Sequence, residues 1–268
     1  MPQVSVVVPV YNAEKYISET LMSIAGQTFG DFDVHVVDDC STDGSAAIIQ
    51  QFCTQDDRFH YHRSATNFGG PAGPRNLGVE RSSGDYIAFC DADDLWAPHK
   101  LELQVSVASE NGVDVVSGIT RDFPDGKTPE AFEKPQGRIP LSTITHGRLL
   151  LKSWIALSSV LVRRSSLVAV GPFNTARSHI AVEDYDMWLR LTERGARVLR
   201  VGVPLVHYRK VPTSISAKKF TQIRKALNVI GEDYARRGKA VIYVFLRPVH
   251  LALYLGTSAY MRGLRREL

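Results

Sequence analysis

Cysteine is scarce in this sequence. Three cysteines occur among 268 residues, at Cys40, Cys53 and Cys90. Their number is odd, and none of them stands in a CxxC pair or at the spacing from histidine that zinc sites use. This pattern argues against both a disulfide framework and a zinc site. We therefore expect a protein of a reducing compartment, the cytoplasm.

Long uninterrupted apolar segments are also missing. No basic stretch followed by a long apolar one opens the chain, so we expect no secretory signal peptide. The most apolar stretch, residues 240–261, is interrupted by Arg247, Pro248 and His250, which argues against a membrane-spanning helix.

Glycine-rich phosphate loops are absent from the place where nucleotide-binding folds carry them. Residues 4–10 form a β-branched run typical of a buried strand, and neither GxGxxG nor GxxxxGK[ST] follows it. This absence argues against a dinucleotide dehydrogenase and a P-loop NTPase. A nucleotide would have to be bound by carboxylates and an aromatic ring instead.

The remaining composition is that of a folded protein with an uneven charge distribution. The chain is 44% hydrophobic and 22% charged, which suits a sizeable core. Residues 218–268 contain 11 Lys/Arg and 3 Asp/Glu, whereas residues 1–217 contain 21 and 25. A basic end can meet nucleic acid, anionic lipid or only solvent, and a solvated charged helix face is the common case.

Strand-like and helix-like patterns alternate over the first 90 residues. Asn12 is predicted to cap a helix that runs to Gly26. The alternation predicts an α/β fold, with a mainly parallel central sheet flanked by helices. The remaining predicted segments are Val34–Val37, Phe59–His62 and Tyr86–Cys90 as strands, and Gly44–Phe52 and Pro74–Arg81 as helices.

A cluster of carboxylates, Asp91-Ala92-Asp93-Asp94, directly follows the last of these strands. Three carboxylates within four positions repel one another unless a cation neutralises them. Oxygen ligands suit Mg²⁺ or Mn²⁺, which share their coordination with substrate phosphates. The alternative is that Asp93 or Asp94 caps a helix that starts near Pro98.

Other loops at the carboxyl edge of the predicted sheet carry further candidate residues. The segment 9–12 follows the first strand and 38–41 the second, where ligands bind in such sheets. The Gly/Pro-rich segment 67–76 brings Arg75, which suits a phosphate, although the segment could be a plain turn.

The second half of the chain is less regular. Residues 121–140 are predicted as a long loop and 157–163 as a strand. A helix is predicted to open at Glu183-Asp184, where acidic residues could simply compensate the helix dipole.

Taken in order, these motifs resemble those of the family 2 glycosyltransferases with the GT-A fold, over residues 3–216. The resemblance rests on a set of segments in one order and spacing: Val6–Asn12, Leu21–Ile24 with Gln27-Thr28, Val37–Gly44, Asn67 with Gly69 and Arg75-Asn76, Asp91–Asp94, Glu183-Asp184, and Tyr208-Arg209 with Ser214-Ile215-Ser216.

The resemblance implies a role for each matched residue. Tyr11 would stack on the base, Asp39 would hydrogen-bond it, and Asp184 would be the general base. His207 could approach the metal or could be an ordinary histidine at a strand end. Asp93 is the preferred metal ligand, although the extra aspartate leaves the register open. The resemblance implies nucleotide-sugar binding by Pro9, Tyr11, Asp38, Asp39, Arg75, Asp91, Ala92, Asp93 and Arg209, and metal binding by Asp93, Asp94 and His207.

The expected function is metal-dependent, inverting transfer of a sugar from a nucleotide-sugar, preferably a UDP-sugar, to a hydroxyl of a saccharide or lipid-linked glycan. Bacterial surface polysaccharide assembly is the usual setting, with Mn²⁺ or Mg²⁺ as cofactor. One alternative is a non-catalytic sugar-nucleotide-binding or scaffolding protein of this fold. Another is a nucleotidyltransferase, but such an enzyme requires a glycine-rich basic loop after the first strand, and Pro9-Val10-Tyr11-Asn12 is not one.

The expected domains are a catalytic domain at 1–216, with a nucleotide-sugar-binding half (1–95) and an acceptor half (96–216), and a helical tail at 217–268. This basic, amphipathic tail is predicted to lie on the inner face of the cell membrane. Packing on the catalytic domain or in a homodimer is the alternative, and no nucleic acid partner is expected.

Overall fold

The first third of the structure alternates strands and helices as predicted. The computed structural model of the chain describes residues 1–211 and 219–264. Strand β1 is buried along its whole length between two parallel neighbours, β2 and β4. The carboxyl ends of these strands therefore meet at one edge of the sheet. The elements are β1 (Val4–Val10), α1 (Ile17–Ala25), β2 (Phe32–Asp38), α2 (Ser45–Gln55), β3 (Phe59–Arg63), α3 (Ala72–Arg81) and β4 (Tyr86–Phe89).

The second part adds antiparallel strands to the same sheet. The described residues form nine strands, in the order β3-β2-β1-β4-β8-β6-β9-β5, with β7 paired to β9. Strand β8 runs antiparallel to β4 and β6, whereas β6 and β9 are parallel. These elements are β5 (Leu95–Trp96), α4 (Lys100–Asn111), β6 (Val115–Pro124), β7 (Leu141–Thr143), α5 (His146–Leu151), β8 (Leu161–Arg163), α6 (Arg164–Val170), α7 (Glu183–Glu193) and β9 (Val198–Lys210).

Each face of the sheet is covered by its own apolar cluster. Alternate residues of a strand point to opposite faces, so Val6 and Val8 of β1 pack with α1, while Val7 packs on the other face. The second cluster centres on Trp188 of α7, which is almost completely buried.

The described residues end in two helices, α8 (Lys219–Arg236) and α9 (Ala240–Leu264). Ala226 and Ile230 of α8 are buried in the cluster around Trp188, so α8 is part of the core. Within the described residues, no helix combines the length and the apolar character that a bilayer crossing requires. The domain boundary expected at 216/217 lies outside the described residues.

The prediction that Asn12 caps α1 is wrong. The helix begins five residues later, at Ile17, and Asn12 has a positive φ of 49°. Its backbone N–H donates to Ser41 Oγ (2.9 Å), and its Oδ1 accepts from the backbone N–H of Thr42 (2.8 Å). These hydrogen bonds join the loop after β1 to the loop after β2. Asn12 is therefore engaged with the second loop and does not cap the helix.

The strand predicted over 157–163 is wrong in its first half. Residues Leu157–Ser159 form a 3₁₀ turn, and β8 starts only at Leu161. Ser158 uses its hydroxyl to contact the acidic loop, accepting from the backbone N–H of Asp91 (3.0 Å). Tertiary hydrogen bonds thus override the local strand preference. The loop predicted over 121–140 is confirmed in the main, but β6 continues to Pro124.

Candidate active site

A cavity of about 570 Å³ opens at the carboxyl edge of the sheet. Among the described residues, five carboxylates line it, together with the basic residues Arg75 and Lys210. An excess of carboxylates in one cavity favours binding of a cation. Among the residues predicted from the sequence, the cavity wall contains Pro9, Tyr11, Arg75, Asp91, Ala92, Asp93 and Asp184.

Tyr11 stands at the mouth of this cavity with an exposed ring. It is 56% exposed, which is unusual for a large aromatic residue that directly follows a buried strand. Strained backbone surrounds it, because Asn12 and Cys40 both have positive φ angles, 49° and 63°. The strain is maintained by the hydrogen bonds between the two loops and presents the ring to the cavity.

Asp38 and Asp39 lie deeper than Tyr11, and neither lines the cavity. The buried Asp38 carboxylate accepts from the Ser41 backbone N–H (2.8 Å) and the Tyr61 hydroxyl (2.8 Å). The Asp39 carboxylate accepts from the backbone N–H of Phe68 (3.1 Å). Burial raises the pKa of Asp39. The Asp38 carboxylate thus holds neighbouring chain segments together. Asp39 directly precedes Cys40, in the loop after β2 that is hydrogen-bonded to the loop containing Tyr11.

The acidic loop divides its three carboxylates between two environments. Asp91 and Asp93 face the cavity, whereas Asp94 is completely buried beneath it. Asp94 Oδ2 accepts from Ser158 Oγ (2.6 Å), and its Oδ1 accepts from the backbone N–H of Arg209 (3.2 Å). Burial and the charges of Asp91 and Asp93 raise the pKa of Asp94. Asp94 thus fixes the loop, and the sequence order alone did not separate it from Asp93.

The two cavity-facing aspartates repel each other. Burial, reinforced by the charge of Asp91, raises the pKa of Asp93 to about 6. Two oxygen ligands that face an open cavity suit a hard divalent cation, because such ions keep waters and substrate oxygens in their remaining positions. The donor set therefore fits Mg²⁺ or Mn²⁺ through Asp91 and Asp93.

Arg75 connects the acidic loop to the start of α7. Its guanidinium donates to Asp91 Oδ1 (2.8 Å) and to Glu183 Oε1 (2.5 Å), and the side chain is only 4% exposed. Burial would lower the pKa of Arg75, but the charges of Asp91 and Glu183 raise it overall. Helix α3, which carries Arg75, packs closely on β1 because Gly78 has no side chain. A Cβ at Gly78 would lie 2.4 Å from Val7 Cγ1.

Asp184 faces the same cavity from the first turn of α7. Its neighbour Glu183 is buried and paired with Arg75, so the two acidic residues have different environments. Burial and then the charge of Glu183 raise the pKa of Asp184 to about 7. A carboxylate that ionises near neutral pH in a cavity suits general base catalysis. Simple dipole compensation does not account for this position.

Strand β9 separates the predicted residues His207 and Arg209 from the cavity. Alternate residues face opposite sides of the sheet, so Tyr208 and Lys210 line the cavity while His207 and Arg209 point away. His207 lies 2.8 Å from the backbone oxygen of Glu130, and burial lowers its pKa. This environment is that of a satisfied structural histidine, the alternative left open by the sequence.

Arg209 supports the acidic loop from behind. Its Nε donates to the backbone oxygen of Asp93 (2.9 Å) and its Nη2 to Glu19 Oε2 (2.6 Å). The guanidinium also lies over the rings of Tyr16 and Phe123, 5.0 and 4.6 Å from the centroids. The motif 208–209 lies on β9, with Tyr208 on the cavity side and Arg209 outside the cavity lining, and donor binding by Arg209 stays a prediction. The segment Ser214-Ile215-Ser216 lies outside the described residues.

The polar cavity residues to which the sequence analysis gave no role include Asp122, Tyr208 and Lys210. Lys210 Nζ lies 3.4 Å from Asp122 Oδ2, and its side chain is half exposed. Alternation along β9 could have indicated Tyr208 and Lys210, whereas Asp122 lies on the neighbouring strand β6. A separate group of possible metal ligands, His179, Asp186 and Glu232, lies outside this cavity, and Asp186 is already paired with two arginines.

Comparison with known proteins agrees with this geometry. Residues 5–169 match the model of the family described as glycosyl transferase family 2. The chain is 30% identical over 261 residues to the Escherichia coli UDP-Glc:alpha-D-GlcNAc-diphosphoundecaprenol beta-1,3-glucosyltransferase WfgD, covering 97% of each chain. It is 32% identical over 233 residues to the Bacillus subtilis putative teichuronic acid biosynthesis glycosyltransferase TuaG, covering 86% of this chain and 88% of TuaG.

Solved structures show the same fold. The Staphylococcus aureus TarS fragment 1–349 in complex with UDP-GlcNAc superposes with a TM-score of 0.72, at 24% identity, over 94% of this chain and 71% of that one. The Pyrobaculum calidifontis mannosyltransferase PcManGT, in complex with GDP-Man and Mn²⁺, gives a TM-score of 0.64 at 18% identity, over 98% and 75%. The α/β sheet with its two C-terminal helices is thus a GT-A-type fold, and the chain belongs to the family 2 glycosyltransferases.

Proposed function

We propose that the chain transfers a sugar from a UDP-sugar to a hydroxyl of a lipid-linked saccharide, with inversion at the anomeric carbon, in cell-surface polysaccharide synthesis. The observation that carries the proposal is the shared cavity of Asp184 and the pair Asp91 and Asp93. A proton acceptor thereby faces a cation-binding pair across a space of substrate size.

The donor's nucleotide would lie against the loops after β1 and β2. The exposed ring of Tyr11 offers a face for a base. The Asp39 carboxylate is the proposed acceptor for the N–H of uracil, and it would have to become accessible from the cavity, because it is buried and accepts from the backbone N–H of Phe68. Pro9 and Ala92 line the same wall, where they provide apolar and backbone contacts to the nucleoside.

The donor's diphosphate would lie at the acidic loop. Asp91 and Asp93 would bind Mn²⁺ or Mg²⁺, which when bound stabilises negative charge on the leaving diphosphate. Lys210 faces the cavity with a half-exposed ammonium group and offers a second positive charge. Arg75 is engaged with Asp91 and Glu183, so its contribution is to position these carboxylates.

Asp184 would accept the proton of the attacking hydroxyl. A hydroxyl is a weak nucleophile until its proton is removed in the transition state, so a carboxylate must lie within hydrogen-bond reach. A pKa of about 7 means that Asp184 is partly ionised at neutral pH and still basic enough to take the proton. Ala181, which has a strained backbone with a φ of 68°, lies just before α7 and lines the cavity with Asp184.

The proposed acceptor class is supported by the names of the relatives. WfgD is named for a diphosphoundecaprenol-linked GlcNAc acceptor, and the relative spans nearly the whole chain. TarS, with 38% identity over 170 residues, is named as a poly(ribitol-phosphate) β-N-acetylglucosaminyltransferase. A lipid-linked acceptor is the better supported of the two, because similarity to WfgD extends through the C-terminal helices.

The test combines donor binding with turnover. Thermal unfolding in the presence of Mn²⁺ should show stabilisation by UDP-glucose or UDP-N-acetylglucosamine and less by GDP-mannose, since a ligand that binds only the native state raises its stability. The stabilising donor is then mixed with a synthetic GlcNAc-diphospho-lipid, and product is followed by mass spectrometry. Stabilisation by GDP-sugars alone, or hydrolysis of the donor without any transfer, would contradict the proposal.

A further inference from the structure

Helix α9 carries an apolar surface that the other described residues leave exposed. Its inner side, formed by Tyr243, Leu246, His250 and Tyr254, packs against the protein. His250 is buried between the Tyr234 hydroxyl (3.2 Å) and the backbone oxygen of Leu150 (3.2 Å). The helix is therefore docked in one orientation.

The opposite side of α9 is apolar as well. We call Val241, Val244, Phe245 and Val249 the outer stripe; they are 73%, 69%, 77% and 50% exposed. They recur at helical spacing, and Ala252 and Leu255, also exposed, continue the same line. A helix that is apolar on both sides is normally buried on both sides, so a partner for the outer stripe is expected.

The charges on this part of the chain select the partner. Residues 234–266 contain seven basic residues and no Asp or Glu. Arg247 is exposed on the flank of α9, and Lys239 stands just before the helix. Two copies of α9 placed face to face would bring these positive charges together with no acidic residue of the helix to offset them. An anionic lipid surface offers both negative charge and an apolar phase.

The helix also passes beside the proposed catalytic base. Tyr254, on the inner side of α9, packs in the cluster around Trp188 of α7, the helix whose first turn contains Asp184. Burial and then the charge of Asp184 raise the pKa of the Tyr254 hydroxyl. Helix α9 packs on α8 and on α5, and α5 lies within the acceptor half of the fold. A surface contacted by α9 would thus lie close to the cavity.

We propose that the outer stripe of α9 inserts into the interface of an anionic membrane, parallel to its plane, and thereby holds the acceptor side of the cavity at the lipid surface. The account of acceptor delivery rests on the proposed function; the membrane contact itself does not. A helix lying in the plane is consistent with the lack of a bilayer-spanning helix in the described residues.

The test uses the full chain and vesicles of phosphatidylcholine with or without phosphatidylglycerol. We expect co-sedimentation with the anionic vesicles, reduced by high salt, and little with the neutral ones. The combined variant V241S/V244S/F245S/V249S should lower the apparent partition coefficient on the order of tenfold or more. Arg247→Glu should lower it as well.

Matched controls separate this contact from folding and from catalysis. Met22→Ser and Val168→Ser remove exposed apolar side chains elsewhere, 54% and 56% exposed, and should leave sedimentation unchanged. Stabilisation by UDP with Mn²⁺ should be equal in all these variants, because none of the changes touches the cavity. An absence of stabilisation by UDP with Mn²⁺ would count against the proposed function. Sedimentation with vesicles needs no donor, so it tests the membrane contact separately.

Two outcomes would overturn the proposal. One is a full chain that ignores anionic vesicles, or a serine variant that still sediments like the wild type. The other is a dimer in light scattering that the serine variant converts to a monomer, because the outer stripe would then be covered by a second copy.

Discussion

Replacing Arg75 by Met tests whether one buried guanidinium joins the metal-binding loop to the catalytic helix. Arg75 is almost completely buried, and its two partners, Asp91 and Glu183, come from different parts of the sheet edge. Removing one partner of a buried ion pair leaves an uncompensated charge and costs about 3–5 kcal/mol. For a chain of this size, each kcal/mol lowers Tm by roughly 2–4 °C, so the expected loss is roughly 6–20 °C.

The pH dependence of this loss distinguishes charge from packing. Without Arg75, two carboxylates lose their counter-charge, and a buried carboxyl without one is more stable in its neutral form. The loss of stability should therefore be smaller in acid, which favours neutral carboxyls, than above neutral pH. Arg75→Met should therefore be clearly less destabilising at pH 5 than at pH 8.

The assay is urea or thermal unfolding at both pH values, with Arg58→Met as the control. Arg58 pairs with Asp56 (2.6 Å), but both side chains are partly exposed, so its loss should cost about 1 kcal/mol or less. A variant Arg75→Met as stable as the wild type at pH 8 would refute the bridge. A loss of stability of the same size at both pH values would mean that Arg75 contributes packing and not charge.

Three further predictions concern the cavity. Asp93→Ala should abolish most Mn²⁺-dependent donor stabilisation, whereas Asp94→Asn should keep it, because Asp94 faces Ser158 and the backbone of Arg209. Calorimetric titration with UDP and Mn²⁺ compares the two variants, and equal losses of binding would contradict the different roles of Asp93 and Asp94. Stabilisation by Mn²⁺ alone should be larger at pH 8 than at pH 5 in thermal unfolding, because the pKa of Asp93, about 6, leaves it protonated at pH 5 and the cation must then displace a proton; a pH-independent effect would place the ion elsewhere. Lys210→Ala should raise KM for the donor about tenfold, the order expected for one charge-assisted contact to phosphate, and an unchanged KM would remove Lys210 from donor binding.

Much of the fold was predictable because its signals are local. The buried run of β1 and the alternation of strands and helices follow from hydrophobic pattern alone, and they place the loops at residues 9–12, 38–41 and 91–94 on one edge. The family resemblance added Asp184, whose position in the cavity a helix pattern could not supply.

The sequence could not predict side-chain directions that are set by distant partners. Asp94 differs from Asp93 because Ser158 and Arg209 come to it from 64 and 115 residues away. The motif that contains His207 and Arg209 predicts a strand but not the face that each side chain takes, and neither residue lines the cavity formed by the described residues. Asn12 resembles a helix cap in sequence, yet it bonds Ser41 and Thr42 on the next loop. No local pattern contains these contacts.

Turnover of Asp184→Asn tests the central claim most directly. The amide preserves shape and removes the proton acceptor, so kcat with the true acceptor should fall by about 10²–10⁴-fold while UDP and Mn²⁺ binding stays close to that of the wild type. Glu193→Gln, on the same helix but outside the cavity, is the control and should leave kcat unchanged. The wild-type kcat should also fall as pH drops below about 7, because the raised pKa of Asp184 leaves it protonated there. A folded Asp184→Asn variant with near-wild-type kcat would contradict the account.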